Sequence, residues 1–507
     1  MRRSDQFTKY IPPGILAIFL MTVYLSSIAP GLTWANFGAD GGDLITAAAT
    51  GGIAHPTGYP LYMLLARLFQ FIPLGSLAFR TNLMSAFFTA GAALLIYRLV
   101  ARSLSCSEPD QYWVAGLTSG IAFGLAPMIW SQAVITEVYA LHSFLLVLLL
   151  YISLHPTSPK FTQQRQDCLL GLTFGLAMGN HVSIILLLPV VFFTTILRQP
   201  SQTPGEKVAF RMHLDGRSLL RRSVWGGIGS LVYFTLPLRA LSHPPVNWGN
   251  PVTLRGFQWL VTGKLYEGLV LNLDFLSILE RIQTAVALLL TQYGIIGLSV
   301  GLIGLIIYFK PNQLNYYMLV IAIFSAAFAI GYATADSFMY LIPAFLCFAV
   351  WIGMGLGKMM DSLSRRPRCM GGLIGMILIF TLLIHAWGQR TQVNASDDLR
   401  AESFGRSVLS LAPTHALVLT KGDEAVFTMW YFQYALGNRL DLAIVAPDLL
   451  QFDWYLQSLQ TTYPDLNLPG PFPFPETVIA ANPERPICYV KYILASEINC
   501  LPARGFK

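Results

Sequence analysis

The sequence predicts a polytopic α-helical membrane protein with a small α/β domain at its C-terminal end. Of the 507 residues, 54% are hydrophobic and only 12% are charged, whereas roughly 25% of the residues of a soluble globular protein are charged. Uncharged apolar runs recur through residues 1–389, and most of them have about the 20 residues that a helix needs to span a bilayer. Beyond Gln389, short strand and helix patterns replace these runs, so residues 390–507 are predicted to form a soluble domain.

The apolar runs define the predicted spans in order. The first run, residues 11–30, follows Arg2, Arg3 and Lys9 and is interpreted as an uncleaved signal anchor, because many further spans follow it. Residues 60–73 are apolar but too short for a span, which favours an interfacial or re-entrant helix. Further runs cover residues 80–101, 113–131, 138–154, 168–197, 224–240, 283–308, 314–333, 337–358 and 370–387.

The run 168–197 is too long for one ordinary span. A single helix of this length would measure about 45 Å, whereas two helices would break at Asn180 and His181. Basic residues lie on both sides of the run, in segments 155–167 and 198–223, and such residues favour the cytoplasmic side. The run is therefore predicted to be a hairpin with Asn180 and His181 at its outer tip.

The distribution of basic residues orients the whole chain. With eleven spans and a cytoplasmic N-terminus, the cytoplasmic segments carry 18 Lys and Arg residues, and the outer segments before the C-terminal domain carry 6. This bias follows the positive-inside rule. We therefore expect about eleven transmembrane helices and an extracytoplasmic C-terminal domain, as in a bacterial inner membrane with the domain in the periplasm.

The C-terminal domain shows a βαβ-like pattern. Residues 416–420 and 440–445 are predicted strands. Asp423 is predicted to be the N-cap of a helix that ends at Leu436, and residues 449–459 are a second predicted helix. Cys488 and Cys500 form a disulfide if this domain faces an oxidising compartment, and are free thiols otherwise.

Polar residues that played no part in the choice of topology converge on the outer side. Ionisable groups at membrane depth are costly and usually functional, so their convergence predicts a single outward cavity. The residues are Asp40, Asp43, His55, Glu137, Asn180, His181, His243, Asn247 and Asp336.

Asp40-Gly-Gly-Asp43 precedes a predicted helix over residues 44–50. One carboxylate could act as a general base toward an acceptor hydroxyl, with the other as an orienting group or metal ligand. The alternative is helix capping, which Asp residues commonly provide without any chemistry.

Five further residues carry paired interpretations. His55 either binds a phosphate or hydroxyl or belongs to a rigid Pro- and Gly-containing turn. Glu137 is a site carboxylate or an interfacial helix cap, and His181 is a ligand or part of a hairpin turn. Arg239 either pairs with a lipid-linked phosphate or reaches the interface as a snorkelling side chain. Asp336 is a site residue or a cap.

The sequence contains no P-loop, nucleophile elbow, HExxH or CxxC motif. ATP-driven transport and serine or zinc hydrolysis therefore have no support, and no nucleic-acid-binding motif accompanies the net charge of +7. No cofactor is indicated. A divalent metal is compatible with the carboxylates, but the sequence does not indicate one.

The motifs taken together resemble one family. It is a bacterial membrane-protein family long known only as a domain of unknown function, whose animal relative is the protein O-mannosyltransferase that modifies plexin-type immunoglobulin-like domains. The resembling segments are Asp40-Gly-Gly-Asp43, His55-Pro-Thr-Gly-Tyr-Pro-Leu61, Arg80-Thr-Asn-Leu-Met-Ser85, Trp130 to Leu141, Met178-Gly-Asn-His181, Leu236-Pro-Leu-Arg239 with Asn247-Trp-Gly249, Asp336 with Tyr340 to Pro343, and Lys421-Gly-Asp423 with Trp430-Tyr431 and Arg439-Leu-Asp441.

The resemblance implies a GT-C glycosyltransferase fold and transfer of a sugar, mannose or another hexose, from a polyprenyl-phosphate donor. An acidic residue in the first outer loop is the catalytic base of such enzymes. By position this base is Asp40, and Asp43 is the second acid, where relatives often carry Glu. The expected substrate-binding residues are His55, Tyr59, Glu137, Tyr139, Asn180, His181, Arg239, Asn247, Trp248 and Asp336.

The expected function is therefore an inverting membrane glycosyltransferase that acts on an extracytoplasmic protein or glycolipid acceptor, among membrane lipids and without nucleic acid. Two alternatives stay open. A transporter or flippase would show inverted repeats and polar residues near the bilayer midplane. A binding protein without turnover would bind the sugar lipid and transfer nothing.

Overall fold

A computed structural model describes residues 3–104, 112–155, 158–193, 215–270, 273–307, 313–334, 336–362, 369–492 and 496–503. Several basic residues used to orient the spans, among them Arg198, Lys207 and Lys310, lie outside these ranges. The basic segment predicted at 198–223 is therefore described only from residue 215 onward.

The described chain is mainly α-helical. The helices that precede the C-terminal region are α1 (Arg3–Leu25), α2 (Gly41–Thr50), α3 (Pro60–Gln70), α4 (Leu77–Leu104), α5 (Trp113–Gly124), α6 (Pro127–Ala133), α7 (Tyr139–Leu154), α8 (Gln163–Met178), α9 (Leu188–Phe193), α10 (Gly216–Ser230), α11 (Thr235–Ala240), α12 (Leu254–Val261), α13 (Phe275–Ile307), α14 (Gln313–Gly331), α15 (Ile342–Ser362) and α16 (Cys369–Val393). Short 3₁₀ helices cover Ala35–Asp40, Val182–Leu187, Leu231–Phe234, Lys264–Leu269 and Ser337–Leu341.

The C-terminal region adds four helices and four strands. They are α17 (Arg400–Leu411), β1 (Leu417–Thr420), α18 (Asp423–Trp430), β2 (Ala443–Val445), α19 (Asp453–Thr462), α20 (Pro475–Ala481), β3 (Ile487–Tyr492) and β4 (Ser496–Leu501), with a π-helix over Tyr431–Ala435 and a 3₁₀ helix over Pro447–Leu449.

Among the described residues, five helical segments are long and apolar enough to cross a membrane: Leu77–Leu104, Phe275–Ile307, Leu314–Gly331, Ser337–Ser362 and Met370–Val393. The bent pair α5 and α6, at 68°, makes a sixth if it is one span. Shorter apolar helices cover Tyr10–Leu25 and Tyr139–Leu154. The chain is thus an integral membrane protein, while eleven crossings and their orientation stay predictions.

Two sequence predictions about broken or short helices are confirmed. The apolar segment after residue 59 forms the short helix α3, and the long run from residue 168 breaks where α8 ends at Met178. The break is fixed by local hydrogen bonds: the backbone N–H groups of Asn180 and His181 both donate to the Ala177 carbonyl, at 3.0 and 3.1 Å.

Helices α8 and α10 are joined by a buried charge cluster. The Asp167 carboxylate is fully buried and accepts from Arg221 at 3.0 Å and from Arg222 at 2.8 Å. Gly175 and Gly229 lie at the contact, where a Cβ on Gly229 would come within 2.8 Å of the Leu176 nitrogen. Small residues let membrane helices approach closely, so the ion pairs bridge two backbones already in contact.

The C-terminal strands form one sheet in the order β2-β1-β3-β4. Strand β1 is parallel to β2 and to β3, and β3 pairs with β4 in the antiparallel direction. Helix α18 lies between the parallel strands β1 and β2 in the chain, which is the order of a βαβ unit. Cys488 and Cys500 lie directly opposite each other on β3 and β4 and form a disulfide.

Two details of this region differ from the sequence predictions. The N-cap of α18 is Gly422, with a positive φ of 90°, so the prediction of Asp423 as the cap is wrong. Strand β2 begins at Ala443 rather than residue 440, because Arg439 has a φ of 49° and its guanidinium is tied to Asp441 at 2.8 Å. A turn therefore occupies the start of the predicted strand.

Helix α18 packs directly against α2. A Cβ at Gly42 would lie 2.6 Å from the backbone carbonyl of Phe427. Beside this contact, Trp34 Nε1 donates to Thr428 Oγ1 at 3.2 Å, and the Thr33 hydroxyl donates to Asp398 at 2.6 Å. The C-terminal region thus fixes the position of the loop and helix that follow the first span.

Candidate functional site

A cavity of about 880 Å³ opens between the loops that follow α1, α12 and α14 and the start of α18. Its volume is within the range of small-molecule sites (~300–1,000 Å³). The structure brings six of the sequence-predicted residues to its wall: Asp40, His55, Tyr59, Tyr139, His181 and Asp336.

Asp40 occupies the N-cap position of α2, yet its side chain makes no capping hydrogen bond. The capping interpretation of Asp40 is therefore wrong. Its side chain is 39% exposed, and that exposure is to the cavity, where Oδ2 lies 3.6 Å from His55 Nε2. Burial raises the pKa of Asp40 to about 6, with His55 opposing the rise and nearby carboxylates such as Asp423 adding to it.

His55 lies between two carboxylates. Its Nδ1 is 2.8 Å from Asp43 Oδ2, and its backbone N–H donates to the same oxygen at 2.9 Å. Burial alone would lower the pKa of His55, but Asp40 and Asp43 outweigh this effect and the pKa is about 9. The imidazole is therefore protonated at neutral pH, and its positive charge faces Asp40.

Asp43 is fully buried and does not reach the cavity. One of its oxygens accepts from His55, and the other accepts from Trp248 Nε1 at 3.0 Å. Both oxygens are thus engaged in holding neighbours. Of the two roles that the sequence suggested for this pair of carboxylates, the geometry of Asp43 corresponds to that of the orienting group.

Glu137 is buried behind the cavity and is only 5% exposed. Its carboxyl group accepts a hydrogen bond of 3.2 Å from the N–H of the adjacent Val138. Burial raises its pKa well above the usual range, and the Asp40 carboxylate adds to the rise. This raised pKa favours the protonated form of Glu137.

His181 begins the 3₁₀ helix Val182–Leu187 and lines the cavity. Its Nδ1 lies 2.8 Å from the Ser183 hydroxyl and accepts from the Ser183 N–H at 3.3 Å. His181 therefore both stabilises the turn and lines the cavity. Burial lowers the pKa of His181 to about 4, with repulsion from His55 contributing. The two histidines of the cavity therefore have different charges.

Besides Glu137, four predicted substrate-binding residues do not line this cavity. Asn180 is buried, and its amide donates to the Val138 carbonyl at 3.4 Å. Trp248 lies beneath Asp43, and Asn247 lines a separate, smaller cavity. Arg239, near the end of α11, is half-buried outside the cavity wall.

Asp336 lines the cavity at the start of the 3₁₀ helix Ser337–Leu341 and makes no side-chain capping bond. Its capping interpretation is therefore also wrong. Beside it, Tyr139 and Tyr340 pack edge to face with ring centroids 6.1 Å apart, and both contact the His181 ring. These aromatic rings form the wall of the cavity next to α7 and α15.

Sequence reasoning missed several lining residues. Asp423 and Glu424 come from the start of α18, and Lys264 and Tyr266 come from the 3₁₀ helix Lys264–Leu269. Burial raises the pKa of Asp423. A signal existed for Asp423, since it follows directly on the carboxyl end of a parallel strand, where α/β folds place ligand contacts.

The cavity continues into an apolar groove. The groove shares Tyr139, His181 and Tyr340 with the cavity and extends along Leu146 and Ile184. Its remaining wall consists mainly of apolar residues of α14 and of the Val182–Leu187 helix. The arrangement offers a carboxylate with a pKa near neutrality, a cationic imidazole, one lysine and an adjoining apolar channel.

The structure does not identify a metal centre. In the described ranges, no group of three or more His, Cys, Asp or Glu side chains is arranged to hold a metal ion. The cationic groups of the cavity wall, among the residues described, are His55 and Lys264, and the Lys264 ammonium pairs with Glu267.

Two family models match the sequence. Residues 40–204 match the protein O-mannosyl-transferase TMEM260 N-terminal domain, and residues 401–473 match the TMEM260-associated domain 2. The chain is 26% identical over 466 residues to protein O-mannosyl-transferase TMEM260 of Mus musculus, which covers 85% of this chain and 62% of the relative. It is 24% identical over 529 residues to protein O-mannosyl-transferase tmem260 of Dictyostelium discoideum, which covers 92% of this chain and 62% of the relative. The chain thus spans 62% of the length of these two relatives.

Solved structures show the same fold. ArnT from Cupriavidus metallidurans bound to undecaprenyl phosphate superposes with a TM-score of 0.55 at 13% identity, and its apo state with a TM-score of 0.59 at 14% identity. Each likeness covers 94% of this chain and 92% of the other.

Proposed function

Because the chain is related to the TMEM260 O-mannosyltransferases and has the GT-C fold of ArnT, we propose that it is a membrane glycosyltransferase. The donor is a sugar, mannose or another hexose, on a polyprenyl phosphate, and the acceptor is a hydroxyl of an extracytoplasmic protein or glycolipid. One observation carries the proposal: the Asp40 carboxylate faces the cavity 3.6 Å from a His55 ring that Asp43 holds in place.

The proposed step is a single displacement. Asp40 takes the proton of the acceptor hydroxyl as the hydroxyl oxygen attacks the anomeric carbon from the face opposite the phosphate. The bond from that carbon to the phosphate oxygen breaks, and the polyprenyl phosphate leaves with the electron pair. The configuration at the anomeric carbon inverts. A base with a pKa of about 6 is mostly ionised at neutral pH and basic enough to assist the transfer.

Two features of the site bear on the proposed donor, namely an apolar groove and two cationic side chains. ArnT was crystallised with undecaprenyl phosphate. The apolar groove beside His181 has a volume of only about 20 Å³, so a polyprenyl tail that enters it would have to widen it. Lys264 and the protonated His55 are the cationic groups of the described cavity wall. We therefore assign the phosphate contact to Lys264 rather than to Arg239, which lies outside the cavity.

The orientation of the C-terminal region has its own support. A disulfide joins Cys488 and Cys500, and disulfides persist in oxidising compartments. This favours an extracytoplasmic C-terminal region, and with it a cavity that opens on the side where acceptors of this kind are found. Because α18 forms part of the cavity wall, the region and the site must share one side of the membrane.

The test is sugar transfer by the purified full chain in liposomes, with a polyprenyl-phosphate hexose labelled in the sugar. Asp40→Asn should lower transfer ~10²–10⁴-fold, the contribution of a general base. Asp397→Asn, at an exposed position away from the cavity, is the matched control and should transfer normally. Undiminished transfer by Asp40→Asn would rule out the base role. Movement of the labelled lipid across the bilayer without any transfer would support the transporter alternative.

A further inference from the structure

A second cavity, of about 310 Å³, lies between the loop at residues 243–250 and helix α19. We call it the amide cleft. It shares no lining residue with the 880 Å³ cavity, and its volume is at the lower end of the range for small-molecule sites (~300–1,000 Å³). The polar side chains of its wall include His243, Asn247, Asn250, Gln457, Ser458 and Thr461.

The wall of the amide cleft consists mainly of amide and hydroxyl side chains. Among its described lining residues there is no Lys, Arg, Asp or Glu, and the one purely apolar side chain is Pro244. Side-chain amides provide both hydrogen-bond donors and acceptors. An ionic ligand would find no carboxylate, ammonium or guanidinium group here, and a peptide of mixed sequence would find little apolar surface. A neutral ligand rich in hydroxyl groups matches this wall.

One lining atom lacks a partner. Asn247 is only 4% exposed and its Nδ2 donates to Asn250 Oδ1 at 3.3 Å, but its own Oδ1 is buried with no hydrogen-bond partner. Buried polar atoms are nearly always paired. If the Asn247 amide turns toward the cleft, a ligand hydroxyl that donates to this oxygen would complete its hydrogen bonding.

The two walls of the cleft are already held at a fixed distance. Asn250 Nδ2 donates to Gln457 Oε1 at 3.0 Å, which joins the loop to α19. Next to Asn247 in the chain, Trp248 packs against Trp454 with ring centroids 5.0 Å apart and the rings tilted by 34°, and it donates to Asp43. The cleft is therefore formed before any ligand arrives, which lowers the cost of binding.

We propose that the amide cleft is a second binding site that takes a neutral saccharide unit through hydrogen bonds to Asn247 and to the amide and hydroxyl groups of α19. This goes beyond the proposed function, because binding here requires no sugar transfer. The cleft and the Asp43–His55 pair are linked through the loop, since Trp248, next to Asn247 in the chain, donates to Asp43.

The experiment measures binding of α-1,2-mannobiose and of cellobiose to the full chain in nanodiscs, by saturation-transfer NMR, with tetraglycine as the peptide probe. We expect saturable binding of at least one disaccharide and at least tenfold weaker binding in Gln457→Ala, which lacks the side chain that bridges the cleft. Gln451→Ala removes an exposed glutamine of the same region outside the cleft and should bind as the parent does.

Equal melting temperatures of Gln457→Ala and the parent establish that the variant is folded, and Thr461→Val repeats the test if they differ. No disaccharide binding, unchanged binding in the folded cleft variants, or preferential binding of tetraglycine would overturn the proposal. Asp40→Asn should keep full disaccharide binding while it loses transfer. Loss of disaccharide binding in Asp40→Asn would place the sugar in the larger cavity and would also overturn it.

Discussion

Replacement of Asp43 by Asn tests how the charge of His55 is maintained. Asp43 Oδ2 is 2.8 Å from His55 Nδ1 in a buried position, and hydrogen bonds to charged groups contribute about 1.5–3 kcal/mol. At 1.36 kcal/mol for each pKa unit, loss of the carboxylate should lower the pKa of His55 from about 9 to about 7–8. Asn keeps the shape of Asp and an oxygen that can accept from Trp248, whereas the His55 backbone N–H loses its acceptor.

The assay is the pH dependence of kcat/KM for sugar transfer. In the parent, the rate should fall as pH drops through about 6, because Asp40 gains a proton, and should fall as pH rises through about 9, because His55 loses one. In Asp43→Asn the upper limb should move to about pH 7–8, and the control Asp397→Asn should keep both limbs. An upper limb that stays near pH 9 in Asp43→Asn would refute the idea that this carboxylate maintains the charge of His55.

Two further predictions concern the scaffold. Gly42→Ala should destabilise the protein by about 1–3 kcal/mol, as overpacking does, and should reduce transfer, because the new Cβ meets the Phe427 backbone; a melting temperature and a transfer rate equal to those of the parent would contradict it. Asp167→Asn should cost about 3–5 kcal/mol, since it leaves the buried Arg222 charge without its carboxylate partner. Guanidinium denaturation in detergent measures this loss, and a change below 1 kcal/mol would show that water or lipid reaches the cluster.

Hydropathy and turn residues predicted the helical membrane architecture, the short helix after residue 59 and the break near residue 180, because each depends on local sequence. The βαβ pattern was predictable for the same reason. The bend of 68° between α5 and α6 and the break in α13 at Gly294, with a φ of 62°, were not predicted. Both depend on how neighbouring helices pack, which apolar periodicity does not encode.

Within the site, the sequence placed Asp40 and His55 in one outer segment but did not predict their contact, because helix α2 (Gly41–Thr50) lies between them. Spacing alone favoured capping at Asp40, and tertiary structure reversed this by turning the carboxylate toward the cavity. Asp423 and Tyr266 were not assigned to the site. Their place in it depends on the contact between α18 and α2 and on the fold of residues 262–270, which are far from Asp40 in the chain.

The acidic lining of the large cavity favours one direction of the proposed reaction. Its carboxyl side chains, Asp40, Glu267, Asp336, Asp423 and Glu424, outnumber its cationic groups, Lys264 and His55. A donor sugar lipid is a phosphodiester with one negative charge, whereas the released polyprenyl phosphate is a monoester that carries about −1.5 to −2 at pH 7. Electrostatic repulsion is therefore stronger for the spent carrier than for the fresh donor. The carboxylates that add to the burial-driven rise in the pKa of Asp40, such as Asp423 and Asp336, would therefore also speed the departure of the spent carrier and oppose its rebinding for the reverse transfer.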